Sequence, residues 1–373
     1  MPQVVIIGAG VMGASTAFHL TQRGVRDVLL LERNERPGQG STAFATGGFR
    51  AQYATDLNVR LSLLARQQLR QFRELTSVDP GYAQVGYLWL AQSADDLASL
   101  RRAQLVQHAA GLVEAQLLST GDAARLNPAA SLEGIHGAAF CPTDGYIRPL
   151  EILRGFLEAA QRGGARLRCS ARPAAITARS VTLQDGEVVE AEHVVNAAGP
   201  WAAQVARLAG VDLPVSPLRR QVACTAPVSL PVDMPMTLWT GDGFHLRVRD
   251  GRALLLLPTA GDPADPWSTQ VEAAWLERVQ ALARERVPGL GEPRVEQSWA
   301  GLYEMSPDKH ALLGRQNGLW LINGSSGHGV MHAPALGLLL AELITGAAPS
   351  LDVRPLRPAR FAEGLPNSSE GVL

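Results

Sequence analysis

Residues 4–13 read Val-Val-Ile-Ile-Gly-Ala-Gly-Val-Met-Gly, and the next apolar run, Val28 to Leu31, ends at Glu32. An apolar run of this kind reads as a strand running into Gly8, Gly10 and Gly13. The glycines behind it then dictate a tight turn into a helix. An acid at the end of the following strand completes the layout of a β-α-β dinucleotide site. Gly8 permits the turn, Gly10 lets a pyrophosphate approach the backbone, and Gly13 lets the helix pack on the strand. The phosphates meet the positive end of that helix, and Glu32 accepts the ribose hydroxyls. This much specifies that a cofactor is bound, and leaves open which one.

The chain of 373 residues, 46% hydrophobic and 18% charged, has material for two domains or one large one with an ample core. A formal net charge of −1 offers no electrostatic case for nucleic acid or an anionic membrane. No uncharged apolar run reaches the roughly 18 residues that span a bilayer. The N-terminal apolar stretch is short and lacks a basic start, so it reads as a strand rather than a signal peptide. Cys141, Cys169 and Cys224 lie far apart without metal-ligand spacing, which suits a reducing cytoplasm, the expected location. Lys309 is the single lysine. Any anion site must therefore use arginine, histidine or backbone amides.

The remaining patterns alternate. Asp56 is expected to cap a helix with the stripe Leu57, Leu61, Leu64, Gln68 and Phe72. From about Pro80 the character shifts to a strand over 85–90, a helix over 95–108 and a strand over 134–140. Pro149 opens a helix over 150–161, followed by a strand over 166–169 and a hairpin around Asp185-Gly186. Residues 193–199 read as a buried strand ending in small residues. A second hairpin flanks Asp250-Gly251, a helix covers 270–286, and a strand over 319–323 leads through Gly324–Gly329 into a helix over 331–344. The Pro-, Ser- and Gly-rich tail from about Pro355 is expected at the surface.

These patterns predict an α/β (α+β) chain in which a discontinuous Rossmann-like domain is interleaved with an antiparallel-sheet substrate domain. The first is assigned 1–79, 145–212 and 306–360; the second 80–144 and 213–305; residues 361–373 form a tail. His328 and His332 are four residues apart at a helix start, but the segment lacks the Glu of a zinc-protease helix. A packed or backbone-bonded pair is expected there, with no metal.

Further motifs follow in order: Gly40-Ser-Thr through Arg50 to Tyr53, Asn196-Ala-Ala-Gly-Pro-Trp201, Tyr303-Glu-Met-Ser-Pro-Asp308 and Ser326-Gly-His-Gly-Val-Met-His-Ala-Pro334. Together with the first fingerprint and Glu32 they resemble the FAD-dependent amine oxidoreductases of the D-amino acid oxidase / sarcosine oxidase family. The likeness covers nearly the whole chain and is nearest to sarcosine oxidase catalytic subunits and dimethylglycine and proline dehydrogenases. It implies that Gly8, Gly10 and Gly13, with Val11 and Met12, hold the pyrophosphate and Glu32 the ribose. Arg33, Ser41 and Thr42 would contact the cofactor, Pro173 its adenine, and Ala198, Gly199 and Trp201 would pass close to it. Gly327, His328, Gly329, Val330 and Met331 would run beside the flavin's pyrimidine end, where a helix N-terminus stabilises the charge of the reduced ring. Arg50 would grip a substrate carboxylate, Tyr303 would line the pocket, and Met331 stands where the family has a second carboxylate-holding lysine. Arginine suits the carboxylate role because its fork is bidentate and stays charged when desolvated.

Departures shape the rest of the expectation. Gly301 stands where some relatives tether the flavin through cysteine, so non-covalent FAD is expected. The lysine that assists reaction with oxygen has Leu255 as its approximate counterpart, which predicts slow reaction with oxygen and another electron acceptor. The implied reaction is oxidation of the C–N bond of a small or N-methyl amino acid by hydride transfer to flavin N5, giving an imine that water hydrolyses. Alternatives left open are an FAD-dependent dehydrogenase of a hydroxy acid, an FAD subunit active only in a complex, and an NAD(P)-dependent dehydrogenase. Trp239, Phe244, His245 and Leu255 are candidates for shaping the pocket. The expected partners are a carboxylate-bearing substrate and an acceptor, oxygen or another, with an oligomer or complex left open.

Overall fold

The computed structural model describes residues 2–259 and 264–367. Strand β1 (Val4–Ile7) is buried along its whole length and lies between β2 (Val28–Leu31) and the strand His193–Asn196, parallel to both. Burial on both sides explains why β1 reads as a continuous apolar run rather than an alternation. The six-stranded sheet built on it continues through β2 to Arg166–Arg168, and on the other side to Leu319–Asn323 and an antiparallel edge, Leu312–Gln316. Helix α1 (Val11–Gln22) packs on this sheet with the helices Pro149–Arg162 and Gly329–Ile344. Gly337 makes the second contact possible, since a Cβ there would lie 2.2 Å from Ser15 Oγ.

An eight-stranded sheet forms the second layer, in the order Val295–Met305, Ser216–Pro227, Arg252–Leu256, His245–Arg249, Met236–Trp239, Tyr87–Ala91, Gly137–Cys141 and Gln116–Leu118. It is antiparallel except where Met236–Trp239 runs parallel to Tyr87–Ala91. That junction joins the two chain segments that contribute to it. One face of the sheet buries Leu88, Leu90, Phe244, Leu246, Val248, Leu255 and Trp239 against the helix Ala273–Arg286. Side chains of the opposite parity point to the other face.

Several expectations need correction. Asp56 is the first residue of its helix rather than its cap; the buried stripe is Asn58, Val59, Leu61, Ser62, Ala65 and Leu69, and Phe72 starts a separate helix. Packing from two sides, not a single apolar arc, decides that face. The tail from Pro355 is not loosely placed. Leu356 and Arg360 are fully buried, and Arg360 donates to both oxygens of Asp308 at 2.8 Å. Within the expected 361–373 tail, Asn367 also donates to Asp308, and 368–373 lie outside the described residues.

Candidate active site

One cavity of about 650 Å³ runs between the two sheets, within the size range of small-molecule and cofactor sites. It begins at the end of β1. Gly8 has φ +108°, and a Cβ there would fall 2.4 Å from the Ala197 carbonyl oxygen, so only glycine makes this turn. Gly10 lines the cavity with open space beside it, the nearest atom to a Cβ being Thr42 Oγ1 at 3.5 Å. Gly13, in contrast, does not reach the cavity. A Cβ there would sit 2.0 Å from the Gly8 carbonyl oxygen, so Gly13 packs α1 on the turn.

Glu32 closes this end, accepting the Ala9 amide at 3.1 Å and the Asn34 amide at 3.0 Å. Thr42 accepts the Val11 amide at 3.2 Å, and Ser41 donates to the Leu302 carbonyl at 2.7 Å. The hydroxyls of this segment thus stitch the nucleotide end to the second sheet. Arg33 lies flat on Trp201, 3.4 Å from its ring centre, and Trp201 stacks on Trp267. Val11, Met12, Pro173, Ala198 and Gly199 line the same stretch.

At the far end the helix Gly329–Ile344 opens beneath the turn Gly324–Gly329. Gly327, with φ +89°, leaves room for the Tyr303 ring, whose Cε2 would lie 2.4 Å from a Cβ. His328, Gly329, Val330 and Met331 line the cavity here. The two imidazoles are taken up by packing: His328 meets Tyr53 edge-on at 5.0 Å, and His332 lies 2.8 Å from Ser62 Oγ. Burial, aided by Arg50, holds His328 well below the usual imidazole range.

Arg50 reaches this end from the segment after β2. Its guanidinium covers the Tyr53 ring at 4.1 Å and approaches Trp89 at 5.1 Å, and it donates to the Gln52 carbonyl. Asp144, fully buried, accepts the Ala51 amide at 2.7 Å and Gln52 Nε2 at 3.2 Å, which fixes the backbone that aims Arg50. Burial pushes its carboxyl up to about 6. Nothing local in the sequence marks Asp144, which acts 93 residues from Ala51.

The second sheet supplies the wall of this end, and apart from His245 the sequence did not reveal which of its residues do so. Tyr87, Trp89, Met236, Leu238, Arg220, His245 and Leu256 line the cavity. Of the four pocket candidates only His245 does so; Trp239, Phe244 and Leu255 point into the core on the opposite face. The pocket wall uses the neighbours Leu238 and Leu256, one residue away, because side chains alternate along a strand. Arg220, paired in register with Gly301, lies 5.6 Å from the Tyr303 ring centre. Lys309 is exposed and outside the cavity. The fixed positive charge at this end of the cavity is therefore carried by guanidinium, from Arg50 and Arg220.

Gly301 is held against the short helix Ser41–Phe44, where a Cβ would meet Phe44 Cβ at 2.8 Å. Glu304 is the other surprise. Its carboxyl accepts Ser325 Oγ at 2.6 Å, its second oxygen is buried without a partner, and burial pushes it up to about 7.

A parallel sheet with a glycine cradle, an acid on the second strand and a long cavity ending at a helix N-terminus defines a nucleotide-cofactor oxidoreductase. The chain belongs to the DAO family of FAD dependent oxidoreductases, whose model matches residues 3–343. It is 28% identical to glycine oxidase of Geobacillus kaustophilus over 96% of both chains. It is 26% identical to mitochondrial sarcosine dehydrogenase of Mus musculus, covering 99% of this chain and 42% of that protein. The crystal structure of L-proline dehydrogenase from P. horikoshii superposes with a TM-score of 0.91 at 26% identity, over 98% of this chain and 99% of the other. The protein is thus an FAD-dependent oxidoreductase. Among the described residues no helix is long and apolar enough to cross a membrane.

Proposed function

We propose that this protein oxidises the C–N bond of a small or N-substituted amino acid, with FAD held non-covalently. The observation that carries the reading is Arg50, which lines the flavin end of the cavity with Tyr303, His328 and Trp89 and has no ion-pair partner among the described residues. A desolvated arginine recognises a carboxylate through two parallel hydrogen bonds. Tyr303 and Tyr87 border the space next to it. Burial raises both phenols, Tyr87 to about 12, so each presents a neutral O–H.

The chemistry FAD supplies when bound is acceptance of two electrons, as hydride, from the carbon next to nitrogen. The chain's own groups hold the carboxylate, keep the imidazoles of His245 and His328 uncharged, and wall out water with Trp89, Met236, Leu238 and Leu256. Uncharged neighbours favour the free amine that this oxidation needs. Alignment then carries much of the rate. The nucleotide half would be held by Gly8, Gly10, Glu32, Thr42, Pro173 and Trp201, and the pyrimidine end by the amides of 327–331. At Gly301 there is neither a side chain nor space for one, which supports a non-covalent cofactor.

We assign 1–79, 145–212 and 306–360 to the cofactor domain, because their strands build the six-stranded sheet. Residues 80–144 and 213–305, which build the eight-stranded one, form the substrate domain. The test is anaerobic bleaching of the flavin by a panel of glycine, sarcosine, dimethylglycine, proline and D-amino acids. Bleaching by at least one is expected. Bleaching by hydroxy acids alone would replace this reading.

A further inference from the structure

The cavity is unbalanced in charge. At its flavin end Arg50 and Arg220 both line the wall, and neither has an ion-pair partner among the described residues. Arg220 is supported only by the Arg219 carbonyl at 3.2 Å. Directly behind the wall Arg247 is fully buried, and none of its three guanidinium nitrogens has a partner. Its Nη1 lies 3.4 Å from where a Gly48 Cβ would be, beside the Tyr87 hydroxyl. The described lining contains two acids. Glu32 is at the nucleotide end and already bonded to backbone amides, and Glu304 sits under the Ser325 turn. Neither faces the arginines.

Burying unpaired guanidinium groups is costly, and the cost is recovered when an anion arrives. One carboxylate answers Arg50. It leaves Arg220 unanswered, on the strand Ser216–Pro227 and 5.6 Å from the Tyr303 ring centre. All three arginines act on both His245 and Tyr303, adding to the burial that lowers His245 and opposing the burial that raises Tyr303, so both lie within the field of each.

We propose that the preferred substrate carries two carboxylates, Arg50 holding the one on the reacting α-carbon and Arg220 the other, which makes it an N-substituted amino dicarboxylate. This rests on the amino acid oxidation reading above. Arg247 makes no contact in the scheme; it adds positive potential behind the wall.

The test uses the FAD-loaded enzyme. Perturbation of the flavin spectrum is titrated with acetate and propionate against malonate and succinate. Anaerobic bleaching is titrated with sarcosine and N-methylalanine against N-methylaspartate and N-methylglutamate. A second charge-assisted contact predicts that the dicarboxylates act at concentrations about 10- to 100-fold lower. In Arg220→Gln that ratio collapses toward one, and Arg220→Lys restores part of it. Equal affinity for both classes in the unaltered enzyme overturns the proposal without any variant. So does a ratio that survives in Arg220→Gln, or a variant that shifts only the flavin reduction potential, which would give Arg220 to the cofactor. Tight dicarboxylate binding with no bleaching by any amino acid would keep the anion site and remove the oxidation reading. Bleaching by both classes at equal concentrations would do the reverse.

Discussion

Arg50 lies face-on to Tyr53, guanidinium carbon to ring centre 4.1 Å, three residues along a segment that Asp144 pins from the other side. Stacking on an aromatic face keeps a charged fork oriented without neutralising it. Arg50→Ala should therefore raise KM for the amino acid about 10- to 100-fold while FAD stays bound. Steady-state kinetics with a dye acceptor and the flavin-to-protein absorbance ratio check both halves. An unchanged KM removes Arg50 from the carboxylate role.

Asp144→Asn tests the support of that arginine. The side chain keeps its shape, but its new amide nitrogen cannot accept from the donors of Ala51 and Gln52. KM should rise in the same direction as for Arg50→Ala, by a smaller factor, with a lowered melting temperature. A normal KM would show that the backbone holds Arg50 unaided.

Glu304 gives a pH dependence. Its folded value near 7 lies above the 4.5 of an ordinary glutamate, so the folded chain binds the proton more tightly than the unfolded one. The stability from this group is complete below about 4.5 and is lost as pH rises through 7. The full shift is worth at most about 3 kcal/mol. Glu304→Gln should be the more stable protein at pH 8 and lose that advantage at pH 5, as read by thermal melts without cofactor. Parallel melting curves across that range would contradict the assignment.

Asp308 has the opposite sign. Despite burial, its bonds to Arg360 and Asn367 hold it down at about 2, so its contribution is present above the ordinary aspartate range and lost as pH falls toward 2. Arg360→Met would strand a buried carboxylate and should cost about 3–5 kcal/mol. Denaturant unfolding reads this, and a loss below 1 kcal/mol would mean that the C-terminal segment is not held by this pair.

Gly13→Ala places a methyl group 2.0 Å from the Gly8 carbonyl oxygen. Backbone surrounds it, so α1 must move off the turn, at about 3 kcal/mol or more. Reduced FAD content per chain and a lower melting temperature are expected together. Full FAD occupancy would show that the cradle tolerates the displacement.

The nucleotide end was legible because its requirements are local. Gly8, Gly10, Gly13 and Glu32 lie within one β-α-β unit, and a positive φ or a missing Cβ at a set spacing can be read along the chain. The hairpins at Asp185-Gly186 and Asp250-Gly251 and the strand Leu319–Asn323 were legible for the same reason. The substrate end was not. Its wall combines Trp89, Arg220, Leu238, His245 and Leu256 from five strands, and no spacing in the chain brings those together. Family likeness pointed to Leu255, but a strand turns successive side chains to opposite faces, so a one-residue offset sent Leu255 to the core and Leu256 to the cavity.

By itself, then, the sequence determined that this chain carries the glycine turn of a dinucleotide-cofactor fold, since backbone conformation at glycine is written residue by residue. Only the tertiary structure decided what lines the far end of the cavity. Strand pairing and side-chain parity gathered three arginines around one end of the cavity, none of them in an ion pair among the described residues, and long-range pairing of that kind leaves no mark on local composition.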